Sequence, residues 1–132
     1  MRTQTINKIL TDNGYESYLE IGFGDGSNFK AINSGYKILV DPNAGEILGR
    51  SVEVISETSD EFFNINDNQK FDLIFIDGDH TAKQVERDII NSYKALNKGG
   101  MILLHDVNPP SEKAQRVPRE QVQWTGDVWR AV

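Results

Sequence analysis

The chain has 132 residues, 38% hydrophobic and 26% charged, which is the size and composition of one globular domain. Its 14 basic and 20 acidic side chains leave a net charge of -6, which argues against a nucleic-acid backbone as partner. Cysteine is absent, no apolar run approaches the roughly 20 residues of a membrane helix, and the start MRTQTINKIL lacks the apolar stretch of a signal peptide, so the expectation is a cytoplasmic protein with a small-molecule partner and no membrane contact.

In chain order, Ile6, Ile9 and Leu10 ahead of Asn13 and Gly14 predict a leading helix that covers a sheet face. SYLEI at 17–21 reads as a first strand, and a short helix follows Ser27, using Phe29 and Ile32 before Gly35. YKILV at 36–40 and SVEVI at 51–55 are the second and third strands. A helix start is predicted at Ser59, with Asp60 and Glu61 in its first turn and Phe62, Phe63 and Ile65 as its apolar side. FDLIFI at 71–76 is nearly continuous apolar sequence, as expected of a strand covered on both faces. The next helix is predicted from a Thr81–Gln84 capping-box pattern, with Val85, Ile89, Tyr93 and Leu96 on one face and Lys98, Gly99 and Gly100 as its stop. MILLH at 101–105 is the fifth strand. Beyond Asp106 a polar stretch with Pro109, Pro110 and Pro118 leads to WTGDVWRAV, which reads as the first turns of another helix. Strands alternating with helices require crossover connections, so the pattern predicts a parallel sheet with helices on its faces.

The first strand runs into Glu20-Ile21-Gly22-Phe23-Gly24-Asp25-Gly26-Ser27. A glycine turn is often only a device for positive φ, but here a strand precedes it, a helix follows it, and Asp41 ends the second strand, where an acid binds the hydroxyls of a ribose. Glu20 and Asp25 would repel the pyrophosphate of a dinucleotide. They suit a ligand carrying an ammonium and a sulfonium, such as S-adenosylmethionine.

The ordered set YLEIGFGDGS, ILVDP, ETSDEFF, FDLIFIDGDH, LNKGG and MILLHDVNPP resembles the class I S-adenosylmethionine-dependent methyltransferases over residues 17–132. IDGDH paired with LLHDV is similar to the antibiotic, sugar and catechol-type O-methyltransferases within that class. The resemblance implies a Rossmann-like three-layer αβα sandwich with a five-stranded parallel sheet in the order 3-2-1-4-5. It also implies that Glu20, Gly22, Phe23 and Gly24 line the methionine moiety, that Asp41 holds the ribose, that Thr58 and Ser59 meet the adenine, and that Asp77 lies near the methyl group. Relatives continue with two further strands, so the fifth strand is expected to be an open apolar edge, covered by the terminal segment or a second copy, or left bare by truncation.

Two strand ends concentrate chemistry: Asp77-Gly78-Asp79-His80 and His105-Asp106, both at the carboxyl edge where ligands of such sheets bind. Carboxylate and imidazole donors without thiolate suit Mg²⁺ or Mn²⁺. In the resembled group the matching metal positions are Asp77 and Asp106, with His105 standing where others carry a second carboxylate or a small residue. His80 and His105 are the two histidines of the chain and the candidate bases; the structural alternatives are helix entry for His80 and pairing with Asp106 for His105. Asp79 and Asp88 read as solvated or helix-entry charges. Trp124 is a candidate for stacking on a substrate ring, and Trp129 for packing. The segment 108–120, with Lys113, Arg116 and Arg119, reads equally as an acceptor-recognition lid and as a mobile linker. The leading expectation is methyl transfer to a hydroxyl of a small molecule or sugar, the runner-up a cofactor-binding module that is inactive alone or needs a partner chain, and the third a nicotinamide dinucleotide enzyme.

Overall fold

A computed structural model of the chain describes residues 1–49 and 53–132. Its elements in order are α1 (Arg2–Asn13), β1 (Ser17–Ile21), α2 (Ser27–Ala31), β2 (Tyr36–Val40), α3 (Ala44–Leu48), β3 (Val54–Ile55), α4 (Ser59–Ile65), β4 (Phe71–Ile76), α5 (Ala82–Lys94) and β5 (Leu96–Leu104), with a closing 3-10 turn at Val128–Ala131. The strands form one parallel sheet in the order β3-β2-β1-β4-β5, as expected. The first residues of the predicted third strand lie outside the described residues, and α3 has no counterpart among the predicted elements. No helix among the described residues is long and apolar enough to cross a membrane.

Period-two alternation divides the strand side chains between two cores. Tyr18, Leu39, Leu73 and Phe75 face Ile6 and Leu10 of α1, Phe29 of α2 and Ala44 of α3. Leu19, Ile21, Ile38, Val40, Ile74 and Ile76 face Phe62 of α4. Both faces of the central strands are therefore covered, which makes the three-layer sandwich. Gly14 closes α1 in a left-handed conformation, its N–H and that of Tyr15 taking up the last carbonyls.

Several local readings are corrected. The α4 cap is Thr58, not Ser59: its hydroxyl accepts from Glu61 N–H while the Glu61 carboxylate accepts from Thr58 N–H, and Ser59 is the first helical residue. Ile65 is exposed, so only Phe62 of that side is buried. Helix α5 ends at Lys94 rather than Gly99: Leu96 already belongs to β5, Tyr93 is 75% exposed, and LNKGG forms the irregular opening of the strand. Between the pairs Phe71/Leu96 and Leu73/Met101 the β5 side carries three extra residues. This bulge is held by Asn97 Nδ2 donating to Asp72 Oδ1 and Tyr15 O–H donating to Gly99 O.

The start of α5 also departs from expectation. Thr81 occupies the cap position without a side-chain bond, and Gln84 turns away toward Ser59 and Asp88. The orphan N–H of Ala82 is satisfied instead by Asp127 Oδ1 at 2.8 Å, from 45 residues away, while Asp127 N–H donates to His80 O. Gly126 must approach so closely that a Cβ there would stand 1.8 Å from His80 O, and its φ is +61°. The segment 108–120 is tied down rather than a free linker. Buried Ala114 accepts at its carbonyl from Thr125 and Gly126, Arg116 pairs with Glu112 and Glu120, and Trp124 Nε1 donates to Arg116 O. The terminal segment thus braces the start of α5 and does not pair with β5.

Beneath the glycine loop lies a buried polar network. Glu20 is 2% exposed, and its Oε2 accepts from Tyr18 O–H at 2.7 Å and Asn28 Nδ2 at 2.9 Å, while Asn28 Oδ1 accepts from Thr3 of α1. Burial pushes the Glu20 carboxyl up to about 7, against the pull of its two donors. An acid that keeps its proton longer in the folded chain than in the unfolded one loses stability as pH rises from about 4.5 toward 7, and the deficit is complete above that range. Glu20→Gln keeps an acceptor for both donors and removes the charge. Urea unfolding should show the variant up to about 3 kcal/mol more stable than the parent at pH 8 and little changed at pH 4.5. A variant destabilised equally at both pH values would contradict this. Asp127→Ala, by removing the distant cap, should lower Tm in a circular-dichroism melt by about 2–6 °C, the scale of a lost cap worth about 1 kcal/mol.

Candidate functional site

The carboxyl ends of β1, β2 and β4 meet at one point. Gly22 N–H donates to Val40 O, Asp77 N–H donates to Ile21 O, and a Cβ on Gly22 would lie 2.1 Å from Asp77 O. With φ at +86°, this position accepts glycine alone. Beside it opens a cleft of about 160 Å³, lined by Gly22, Val40, Asp41, Pro42, Thr58, Ser59, Gly78, Asp79, Gln84 and Asp88. A larger hollow of about 410 Å³ between α4 and α5 is lined by Asp60, Asn64, Asn66 and Asp67 and lies away from the strand ends.

The structure brings Gly22, Asp41, Thr58 and Ser59 to this one cleft. One oxygen of Asp41 accepts from Asn43 N–H. Gly24 has open space where a Cβ would be, whereas the Phe23 side chain is buried in the α1-side core, so Phe23 offers the cleft only its backbone. The Glu20 carboxylate is held inside the fold below the loop rather than lining the cleft.

At the neighbouring strand ends an acid and histidine cluster assembles. His105 Nδ1 is 3.1 Å from Asp77 Oδ1 and 3.2 Å from Asp106 Oδ1. His80 Nε2 is 3.4 Å from Asp106 Oδ2 and 3.9 Å from Asp77 Oδ1. His105 N–H extends the ladder by donating to Ile76 O, and Asp106 turns the chain with φ at +56°, a conformation that an aspartate tolerates. One further member lies outside the motifs. Arg2 of α1 pairs with Asp77 Oδ2 and stands 5.7 Å from the Phe75 ring centre. Nothing in a single arginine near the amino terminus signals this contact across 75 positions.

Burial opposes ionisation of Asp77, but His105, His80 and Arg2 outweigh it and hold the carboxyl at about 2. The same contact with Asp77, followed for His80 by the charge of Asp106, raises both histidines above their ordinary value against the opposing effect of burial. Asp77, His80 and Asp106 can each point one ligand atom to a common centre, these atoms lying within 4.8 Å of one another. Trp124 packs on His80 with ring centres 5.2 Å apart, and Trp129 lies near Arg130. Asp79 does enter the helix as expected, accepting from Thr81 N–H. Asp88 corrects the expectation of a solvated charge: it is 1% exposed and bonded to Ser59 and Gln84.

A family model described as a methyltransferase domain matches residues 8–107. No curated protein matches the chain. Among solved structures, a protein of Staphylococcus aureus provisionally named a caffeoyl-CoA O-methyltransferase superposes with a TM-score of 0.62 at 18% identity, over 80% of this chain and 57% of its own. An O-methyltransferase of Bacillus cereus in complex with SAH gives 0.59 at 18%, over 80% and 56%. A Klebsiella pneumoniae protein provisionally named an O-methyltransferase gives 0.59 at 16%, over 84% and 60%. The chain therefore spans less than two thirds of each, and at these identities the likeness is one of fold. The sheet order, the glycine crossing at β1 and the family match that takes in the glycine loop, Asp41, Asp77 to His80 and His105-Asp106 together show that the chain belongs to the class I methyltransferase-domain family.

Proposed function

We propose that the chain is an S-adenosylmethionine-dependent methyltransferase that moves a methyl group to a hydroxyl of a small molecule or sugar. One observation carries the reading: the cleft holding Gly22, Asp41, Thr58 and Ser59 opens beside the cluster of Asp77, His80, His105 and Asp106 at the same sheet edge. When bound, S-adenosylmethionine supplies a methyl group on a positively charged sulfur. Asp41 would hold the ribose hydroxyls, Thr58 and Ser59 the adenine, and the backbone of Gly22, Phe23 and Gly24 the methionine end, with Asp77 nearest the methyl group. The B. cereus structure in complex with SAH supports that choice of cofactor.

The protein's part in such a transfer is alignment and proton removal. His105, the more exposed histidine at 42% of its side chain, would take the proton of an acceptor hydroxyl, with Asp77 and Asp106 stabilising the imidazolium that forms. His80, packed against Trp124 and facing both carboxylates, holds the other side of the cluster and is the alternative base. Two hard carboxylates and one imidazole fit Mg²⁺ or Mn²⁺, so Asp77 and Asp106, joined by His80, would hold such an ion. It would lower the pKa of a hydroxyl in contact with it.

A second reading, a cofactor-binding module that needs a partner chain, draws on the open side of β5, which pairs with β4 alone among the described residues and carries half-exposed Met101.

Titration calorimetry should detect binding of S-adenosylhomocysteine. Asp41→Ala should weaken it by about tenfold or more, the loss expected for hydrogen bonds to a charged group. Asp106→Asn, which keeps the left-handed backbone accessible, should leave that affinity within about threefold while turnover on a panel of glycosides and catechols falls by about a hundredfold. Binding without any methyl release across the panel favours the module; absence of binding rejects both readings. Mn²⁺ titration followed by electron paramagnetic resonance should show a bound ion that is lost in Asp77→Asn and in Asp106→Asn. Identical spectra for the parent and both variants would remove the metal from the scheme.

A further inference from the structure

Charge is unevenly shared along the chain. Up to Asp106 there are 10 basic and 17 acidic residues, whereas the stretch after it carries four basic and three acidic ones, so the positive excess lies in the segment that packs against His80. Its arginines are not equivalent. Arg116 is neutralised by Glu112 and Glu120. Arg119 has no carboxylate partner among the described residues: Nε donates to Gln121 O at 2.8 Å and Nη2 to Val122 O, and the guanidinium stands 5.9 Å from the Trp124 ring centre. Arg130 also lacks an acid there and lies over the ring of Trp129, 4.5 Å from its centre.

The two bonds of Arg119 occupy a single edge of the guanidinium. Nε–H and the Nη2–H beside it point the same way, so the carbonyls of Gln121 and Val122 fix the plane of the group and leave its end, formed by Nη1 and the second hydrogen of Nη2, without a partner among the described residues. That end is the fork that takes both oxygens of one carboxylate. Trp124 is itself anchored, its Nε1 donating to Arg116 O at 2.7 Å and its ring packed on His80 with centres 5.2 Å apart. An arginine on a surface ordinarily loses side-chain freedom when it takes a ligand; here plane and position are set beforehand, one aromatic ring away from a histidine of the reactive cluster.

We propose that Arg119 determines acceptor specificity: through Nη1 and Nη2 it grips the carboxylate of a hydroxy acid, such as a uronic acid sugar or a hydroxybenzoate, while the hydroxyl of the same molecule faces His80, His105 and Asp106. The inference rests on the methyl-transfer reading above and narrows its acceptor to hydroxylated molecules that also carry a carboxylate. The two groups of such an acceptor sort themselves by charge. Asp77 and Asp106 repel a carboxylate brought to the cluster, and Arg119 attracts it at one ring's remove, so the neutral hydroxyl is the end left to approach the histidines. The carboxylate is a handle for orientation and keeps its two oxygens free of methyl. Trp124 acts as a positioning residue that supports the guanidinium on its ring.

The test is a calorimetric titration in two stages on the parent chain, Arg119→Gln and Arg130→Gln. Each is first titrated with S-adenosylhomocysteine, and the loaded chain then with two matched pairs, protocatechuate against catechol and methyl glucuronide against methyl glucoside. The parent should bind the carboxylated member of at least one pair about tenfold or more tightly than the neutral one, the scale of a charge-assisted pair. In Arg119→Gln that preference should fall to near unity while the affinity for S-adenosylhomocysteine stays within about threefold; Arg130→Gln, which removes the same charge from the same segment, should keep the preference. A parent that binds both members of each pair equally, or binds no carboxylated member, overturns the inference and leaves the cofactor reading in place. Equal losses in the two variants, which mark a general effect of charge, overturn it too, as does a weakened first stage in Arg119→Gln, which makes the residue a cofactor contact. Failure of the parent in the first stage overturns the methyl-transfer reading and this inference with it. The parent comparison decides the matter even if Arg119→Gln fails to fold.

Discussion

Three strand ends converge on Gly22. The loop after β1 must pass beneath the β4 exit so closely that a single methyl group would meet the Asp77 carbonyl at 2.1 Å. Because Gly22 also donates to the end of β2, its position fixes where Val40, and hence Asp41, finishes relative to Asp77. The distance between Asp41 and Asp77 is thus set by backbone sterics, not by any side chain that could adjust. Everything polar at the carboxyl edge is hung on that crossing.

Around it, the charges are arranged in two separate systems. Glu20, Tyr18, Asn28 and Thr3 form a dry network under the loop that ties α1 to β1, whereas Asp77, His80, His105, Asp106 and Arg2 form a wetter cluster at the strand ends. Their environments drive the acids in opposite directions, Glu20 up through burial and Asp77 down through cationic neighbours. Two carboxylates of one sheet edge therefore take different protonation states at neutral pH, one near its midpoint and one fully ionised.

The sheet was legible because strand runs and turn residues repeat in a rhythm that only crossover topology satisfies: the five strands and α1 emerge from that rhythm, whereas the order 3-2-1-4-5 followed from the resemblance to the methyltransferases. What escaped were features settled by distant partners. Thr81 and Gln84 spell a local capping box, yet Asp127 caps α5 and Gln84 serves the cleft, since a carboxylate already held by Gly126 beside His80 outcompetes a local side chain. LNKGG looks like a helix stop, but pairing with β4 extends the strand backward through a bulge to Leu96. Asp88 lies on the same helical face as Val85 and Ser92, and a polar residue at a core-facing position was the signal that it is buried rather than solvated. Of the site, the motif residues Gly22, Asp41, Asp77, His80, His105 and Asp106 could be named from sequence; Arg2 and Asp88 needed coordinates.

The distant cap on α5 also imposes an order on synthesis. A chain leaving the ribosome has built all five strands before residue 127 emerges, but until then the first turn of α5 has an unpaired amide and the carbonyl of His80 lacks its Asp127 donor. The sheet can therefore collapse early while the IDGDH turn waits for a segment made well after β5. A nascent fragment ending at β5 would therefore be compact yet still lack the two hydrogen bonds that Asp127 makes with Ala82 and His80.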